Sequence, residues 1–192
     1  MGIDRRDFVV ATGETFLPTI RWATEVLTGV AITAITQAAP VTVTAVAHGA
    51  PNGWPVAIVS AKGMTQINAA RYPPQLTDMR AATVLTVDTI RINDINSADF
   101  TTYTSGGFLV YNVPHTLVGM TVRMIIQDAP VNGTVLATLA IGTGITVDTS
   151  LFTITPRLET AGLTWTTGYY DLEITDGAAV IIQLISGTIT IT

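Results

Sequence analysis

The chain has no cysteine. Disulfides, thiolate metal sites and thiol nucleophiles are thereby excluded, and the redox state of the compartment leaves no mark on the sequence. Lysine occurs once, at Lys62, and charged residues make up only 12% of the chain, against roughly 25% in an ordinary soluble domain. The net charge is −5, and the few arginines are scattered, so there is no basic face of the kind that direct DNA or RNA binding requires. Helix-period apolar stripes are nearly missing as well. The charged start, Met-Gly-Ile-Asp-Arg-Arg-Asp, leads into no long apolar stretch and predicts no signal peptide. Residues 26–47 carry no charge and are long enough to cross a bilayer. Their threonines, Gln37 and Pro40, with polar–apolar alternation in the second half, predict strands and no membrane span.

What fills the chain is threonine, about one residue in six, within a composition that is 48% hydrophobic. Threonine is β-branched, suits a pleated strand and offers water a hydroxyl. At 192 residues the chain can bury a core without metal or disulfide staples. A charge-poor, threonine-rich surface suits packing against other subunits, where each buried charge is costly. A threonine-rich monomer remains the plainer alternative.

Period-2 alternation predicts an all-β protein. Strands are expected at Phe8–Ala11, Thr15–Trp22 (Pro18 placing it at an edge or bulge), Ile32–Ile35, Val41–Ala47, Pro55–Ser60, Tyr72–Leu76, Thr83–Val87 and Thr89–Asn93. Asp94–Gly107 is expected to be polar loop. Further strands are expected at Thr121–Gln127, Thr134–Ala140, Ile145–Asp148, Phe152–Thr155, Tyr169–Thr175, Ala178–Ser186 and Thr188–Ile191. Arg157–Leu163 is the best candidate for a helical turn. Asp176-Gly177 predicts a type I′ hairpin, because aspartate and glycine tolerate the positive φ angles of that turn. Alternation places Trp22, Leu117, Val122, Met124, Ile126, Leu136, Leu172, Ile174, Ile182 and Leu184 in the core.

No catalytic constellation is legible, and no catalytic, cofactor-binding or metal-ligating residue is assigned. His48 and His115 sit in no metal-binding frame. Gly142-Thr-Gly144 lies between strands, without the helix a phosphate-cradling loop needs, and is expected to be a turn. Asp94, Asn96 and Asp99 form the one oxygen-rich cluster, but no Glu follows at calcium-loop spacing, so a solvated loop is expected. Asp171 and Glu173 alternate on one strand and share a face, where carboxylates are usually solvent-facing. Asn132-Gly133-Thr134 is better explained as a turn than as a glycosylation site. Trp22, Trp54, Trp165, Tyr103, Tyr111, Tyr169 and Tyr170 could build a sugar platform, yet large aromatics in a small β-protein more often fill the core.

Several segments taken together resemble a known family. Leu117-Val-Gly-Met-Thr-Val-Arg-Met-Ile-Ile-Gln-Asp128, Thr134-Val-Leu-Ala-Thr-Leu139, Thr160-Ala-Gly-Leu-Thr-Trp165, Gly168-Tyr-Tyr-Asp-Leu-Glu-Ile174 and Gln183-Leu-Ile-Ser-Gly-Thr-Ile-Thr190 follow one another. This order resembles the immunoglobulin-like module of tailed-bacteriophage tail and baseplate proteins, similar to the N-terminal module of baseplate upper proteins. In that pattern a "Gly-Asp-Thr-Phe…Trp" segment stands directly before the Leu-x-Gly strand. Here Gly13-Glu14-Thr15-Phe16-Leu-Pro-Thr-Ile-Arg-Trp22 lies about ninety residues too early, with Glu14 where Asp is usual. The resemblance thus implies an immunoglobulin-like antiparallel β-sandwich, residues 1–29 plus 113–192, interrupted by an inserted domain at 30–112, since a gap that long should hold its own fold. Ile32–Ile35, Val41–Gly49, Gly53–Ile58, Gly63–Asn68 and Tyr103–Gly107 within the insert resemble small β-barrels of phage tail proteins, similar to the FCCH domain of ubiquitin-activating enzymes.

What the resemblance implies is a non-enzymatic structural protein of the virion, present in the host cytoplasm during assembly. It would act as an adaptor in the tail, baseplate or neck that connects virion parts or anchors fibres or spikes, as a homo-oligomer or as ring-bound copies. Its partners would be other virion proteins, with no cofactor and no direct nucleic-acid contact. Two alternatives stay open: a capsid decoration protein, and a module that binds host glycans through exposed aromatics around one groove.

Overall fold

The computed structural model describes residues 4–192. Among them there is no α-helix; the chain is built of strands, turns and two short 3-10 turns, Thr65–Ile67 and Leu76–Asp78. It divides into two compact units. One comprises the N-terminal segment up to Trp22 together with Thr116–Thr192, and the other is Ala23–His115. Each contains one strongly curled sheet.

In the first unit the sheet runs in the order Asp4–Arg5, Ile181–Ile191, Thr167–Thr175, Thr121–Gln127, Val135–Ile141, Gly144–Asp148, Thr153–Pro156, Ile20–Arg21. Phe8–Val10 also lies beside the last strand, pairing with Ile189–Ile191. The expected antiparallel order therefore has exceptions. Asp4–Arg5 and Phe8–Val10 both run parallel to Ile181–Ile191, and Val135–Ile141 meets Gly144–Asp148 in parallel at Ala140 and Ile141. The early segment Phe8–Trp22 reaches across the chain three times. It pairs with Ile189–Ile191, Thr15–Phe16 pairs with Leu158–Glu159, and Ile20–Arg21 pairs with Thr153–Ile154.

The curl encloses an apolar core in which Val122, Met124 and Ile126 alternate with Leu172, Ile174 and Tyr170 across paired strands, all of them buried. Leu117 is buried with them. Trp22, Leu136 and Leu184 are only partly buried against this core, and Ile182 is half-exposed. For Leu184 the reason is a bulge. Leu172 pairs with Ile185 but Glu173 pairs with Gln183, so Leu184 is an extra residue that switches the inward face of the last strand to Ile185, Ile189 and Ile191.

The second unit has strand order Ala23–Ala31, Phe108–Pro114, Pro55–Val59, Arg80–Val84, Thr89–Ile92, Val41–Thr44, Ala34–Ile35. The first and last of these strands belong to one stretch of chain. Ile32 N–H donates to Gly107 O at 3.0 Å and Thr33 N–H to Thr44 O at 2.8 Å, so the sheet curls until its two ends meet on residues 23–35. Val41, Val43, Trp54, Val56, Met64, Ile90, Ile92 and Leu109 fill its interior. The strand Ala23–Ala31 pairs with Phe108–Pro114 from Ala23↔Pro114 to Ala31↔Phe108. Residues 23–29 and 113–115 thus belong to this unit, not to the first as the sequence pattern had placed them.

Three local expectations are corrected. Tyr72–Leu76 is not a strand. Pro73 and Pro74 cannot donate to a ladder, and the chain instead enters the 3-10 turn Leu76–Asp78, where Gln75 and Asp78 cap each other reciprocally. Arg157–Leu163 is not helical: Leu158 and Thr160 point inward around an outward Glu159, a period of two that pairs with Thr15–Phe16. Asp176-Gly177 does not make a type I′ turn. Asp176 Oδ1 accepts from the N–H groups of Ala178 and Val180 at 2.9 Å each, which widens the loop and moves the left-handed conformation to Ala179, φ 61°.

Candidate functional site

The residues singled out for chemistry are dispersed and engaged locally. His48 is buried; its Nδ1 accepts from Ala50 N–H at 3.1 Å, which puts the proton on Nε2, 3.1 Å from Thr86 O. The ring is a strut between two loops. Partial burial lowers the pKa of His115 below the usual imidazole value. Asp94 pairs with Arg80 at 3.3 Å, and Asn96 Oδ1 accepts from Ala98 N–H in a local turn. Among the described residues no three His, Cys, Asp or Glu side chains are placed to hold a metal ion.

Glu173 bridges to Arg123 at 2.9 Å on the paired strand. Asp171, two residues earlier on the same face, accepts from Gln183 Nε2; partial burial raises its pKa against that bond. Gly142 and Gly144 form a turn with φ 80° and 91°, in which Thr143 N–H donates to Ala140 O. Asn132 is left-handed, φ 55°, in the connection between Thr121–Gln127 and Val135–Ile141. No described helix is long and apolar enough to cross a membrane.

The aromatic side chains divide more informatively. Trp54 is buried and donates from Nε1 to Asn112 O at 2.8 Å. Tyr111 donates to His48 O, Tyr170 to Arg6 O and Tyr103 to Ile32 O. Phe8 packs edge-on against Phe16 with ring centroids 5.1 Å apart. Trp22, Trp165, Tyr169, Phe100 and Phe152 are half-buried. Trp22 and Trp165 pack against the core of the first unit, while Tyr169 lines a groove with Arg5 and Asp171.

Two aromatics that the sequence reading did not single out for a site are the exposed ones. Tyr72 is 71% exposed and Phe108 is 48% exposed. Both line one groove of about 380 Å³ on the second unit, with Leu27, Thr28, Gly29 and Val110. Its floor comes from register: Phe108 and Val110 share a face of their strand, and Gly29 stands opposite Val110. Val59, Val110 and Ala57 are buried beneath, with Leu27, Ala69 and Met79 packed on them. Nothing in the local pattern distinguishes this face, because Tyr72 arrives from a loop some forty residues earlier than Phe108.

The charged groups elsewhere are mostly spent within the chain. Arg5–Asp7, Arg80–Asp94, Arg123–Glu173 and Arg157–Glu159 are paired, Asp128, Asp148 and Asp176 accept backbone N–H groups in their own turns, and Asp88 accepts from Ala47 N–H in another loop. Exposed apolar side chains such as Val9, Leu17, Val118, Val131 and Ile181 lie among them. No family model matches this chain, and no curated protein matches it in sequence.

Proposed function

We propose that this protein is a non-catalytic structural component of a tailed-bacteriophage particle, an adaptor in the tail, baseplate or neck that joins virion parts or anchors fibres or spikes. On this reading the first unit is an immunoglobulin-like sandwich, and the second is a small barrel inserted into it. The observation that carries the reading is the pairing of Thr15–Phe16 and Ile20–Arg21 with strands beyond residue 150. That is the arrangement which the displaced Gly13–Trp22 segment requires of a split module. The paired entry and exit of the second unit, Ala23 opposite Pro114, suit an insertion, because an inserted domain needs its ends side by side.

The surface chemistry supports the same reading. With most charges satisfied internally, contacts with other subunits rest on apolar side chains and threonine hydroxyls. Like-charge repulsion between identical copies is small, so close packing on a symmetric scaffold costs little. Repeated weak contacts on such a scaffold add through avidity. The test is mass spectrometry of purified particles before and after a high-salt wash. The protein is expected in the particles at a fixed copy ratio and to survive the wash, since screening acts on charged contacts. Absence from the particles, together with a monomeric state at high concentration, would reject the reading.

A further inference from the structure

We propose that the groove between Tyr72 and Phe108 is a binding site for a neutral sugar ring. Of the thirteen aromatic side chains in the sequence, given by three Trp, five Tyr and five Phe, these are the two that are exposed, and both fall on this one groove. Exposed rings cost hydrophobic free energy that burial would recover. Elsewhere in the chain every aromatic is at least half-buried.

The lining decides the ligand class. It contains no Asp, Glu, Lys, Arg or His, so nothing in it would compensate a charged ligand for lost water. It does carry three hydroxyls, on Thr28, Ser60 and Tyr72, and none of them makes a hydrogen bond to another described residue. Apolar ring faces flanked by free hydroxyls match a pyranose, which has C–H faces and a hydroxyl rim. A wholly apolar ligand would leave those hydroxyls without partners.

Two backbone features suit a ligand that comes close. Gly29 lies inside a nine-residue strand, where glycine is otherwise unfavourable, and marks a position approached closely by another group. A Cβ there would stand 3.3 Å from Val110 Cγ1 and 3.7 Å from Phe108 Cβ, so the closely approaching group is the opposite strand, and the glycine's part is to keep the groove floor low. Ser60 is held at φ 59°, a conformation rare for a non-glycine residue, at the end of Pro55–Val59 on the groove rim. The volume, about 380 Å³, is at the small end of ligand sites. The site is independent of the adaptor reading: a virion protein could carry it, and so could a glycan-binding protein of another kind.

The test uses the full chain on an array of neutral glucose, galactose and N-acetylglucosamine oligomers, with sialylated and uronate oligomers as acidic controls. Binding to at least one neutral oligomer is expected, with little or none to the acidic set. Tyr72→Ala and Phe108→Ala should each weaken binding at least tenfold, Tyr72→Ala at an unchanged thermal midpoint because that ring is largely exposed, and Phe108→Ala at a slightly lowered one because its ring is half-buried. Thr28→Val should weaken it by a smaller factor while both rings stay in place. Failure of the wild-type protein to bind any neutral oligomer at millimolar concentration would overturn the proposal. So would preference for the acidic set, or binding indifferent to both ring variants. A photo-crosslinker replacing Tyr72 that captures a second copy or a particle protein, without glycan binding, would assign the groove to protein docking instead. Incorporation of Tyr72→Ala into particles, measured separately, keeps this outcome distinct from the fate of the adaptor reading.

Discussion

Thr160 accepts a hydrogen bond from Gly13 N–H at 2.9 Å and donates to Glu14 O at 2.6 Å, tying a turn to a strand 147 residues later in the chain. Its side chain is buried, and Leu158–Glu159 beside it pairs with Thr15–Phe16. One hydroxyl thus adds a side-chain bridge to the strand pairings that join the two separated parts of the first unit. Replacing Thr160 with valine keeps the shape and removes both bonds. A loss of about 1–3 kcal/mol is expected, the cost of leaving polar groups unsatisfied, while Thr160→Ser should lose much less. Urea unfolding of the two variants checks this; a loss confined to Thr160→Ser, with Thr160→Val unchanged, would mean that the methyl group, not the hydroxyl, matters.

Gly187 makes room for the N-terminal strand. A Cβ there would lie 1.9 Å from the Arg6 carbonyl oxygen, a clash with backbone that no rotamer relieves. Gly187→Ala should force residues 4–10 away from Ile181–Ile191 and cost about 1–3 kcal/mol, the usual range for overpacking. Hydrogen exchange should then rise at Phe8–Val10 and stay unchanged at Val41–Thr44 in the other unit. Unchanged exchange at Phe8–Val10 would show that the strand can shift without detaching.

The same strand carries an acid-sensitive latch. Asp7 accepts from Thr188 N–H at 2.9 Å and from its hydroxyl at 3.0 Å, with Arg5 3.5 Å away. The two Thr188 bonds, with Arg5 as a lesser contribution, hold the Asp7 carboxyl below the usual value. A depressed carboxyl stabilises the fold above its unfolded pKa, near 3.8, and that contribution disappears as pH falls through the lower folded value. The Thr188 amide resonance should therefore move only below about pH 4, and Asp7→Asn should abolish the movement. A midpoint at or above the usual aspartate value would contradict the geometry.

Asp171 has the opposite sign. Partial burial raises its pKa, with the Gln183 bond working against the shift. A raised carboxyl favours the fold at pH below its unfolded value and loses that contribution as pH rises through the folded value. Asp171→Asn is expected to leave stability near pH 3 unchanged and to increase it at pH 7. Thermal melts at the two pH values decide this, and a decrease at pH 7 would show that the Gln183 bond outweighs burial.

Leu172 and Ile182, which stands opposite the buried Ile174, share the inward face of their paired strands but differ in burial. Leu172→Ala removes a fully buried side chain and should cost about 2–5 kcal/mol. Ile182→Ala, on the half-exposed part of the neighbouring strand, should cost clearly less. Equal losses in guanidinium unfolding would mean that Ile182 is sealed from water in solution.

By itself the sequence determined what depends on neighbours in the chain. Alternation at Thr121–Gln127 and Tyr169–Thr175 is local, so the all-β class and the inward faces Val122, Met124, Ile126, Leu172 and Ile174 were legible. The scarcity of charge was legible too, and with it a surface with little capacity for ion pairs. Tertiary structure decided whatever depends on partners distant in sequence. Leu184 becomes an extra residue only because its neighbour pairs in a shifted register. Leu158–Thr160 is extended because Thr15–Phe16 arrives beside it, and Asp176 widens its turn by accepting two N–H groups. The groove at Tyr72 and Phe108 needed both causes. Prolines 73 and 74 keep Tyr72 out of a strand, which local chemistry dictates, but only the folded sheet places its ring on the same opening as Phe108, above the missing side chain of Gly29.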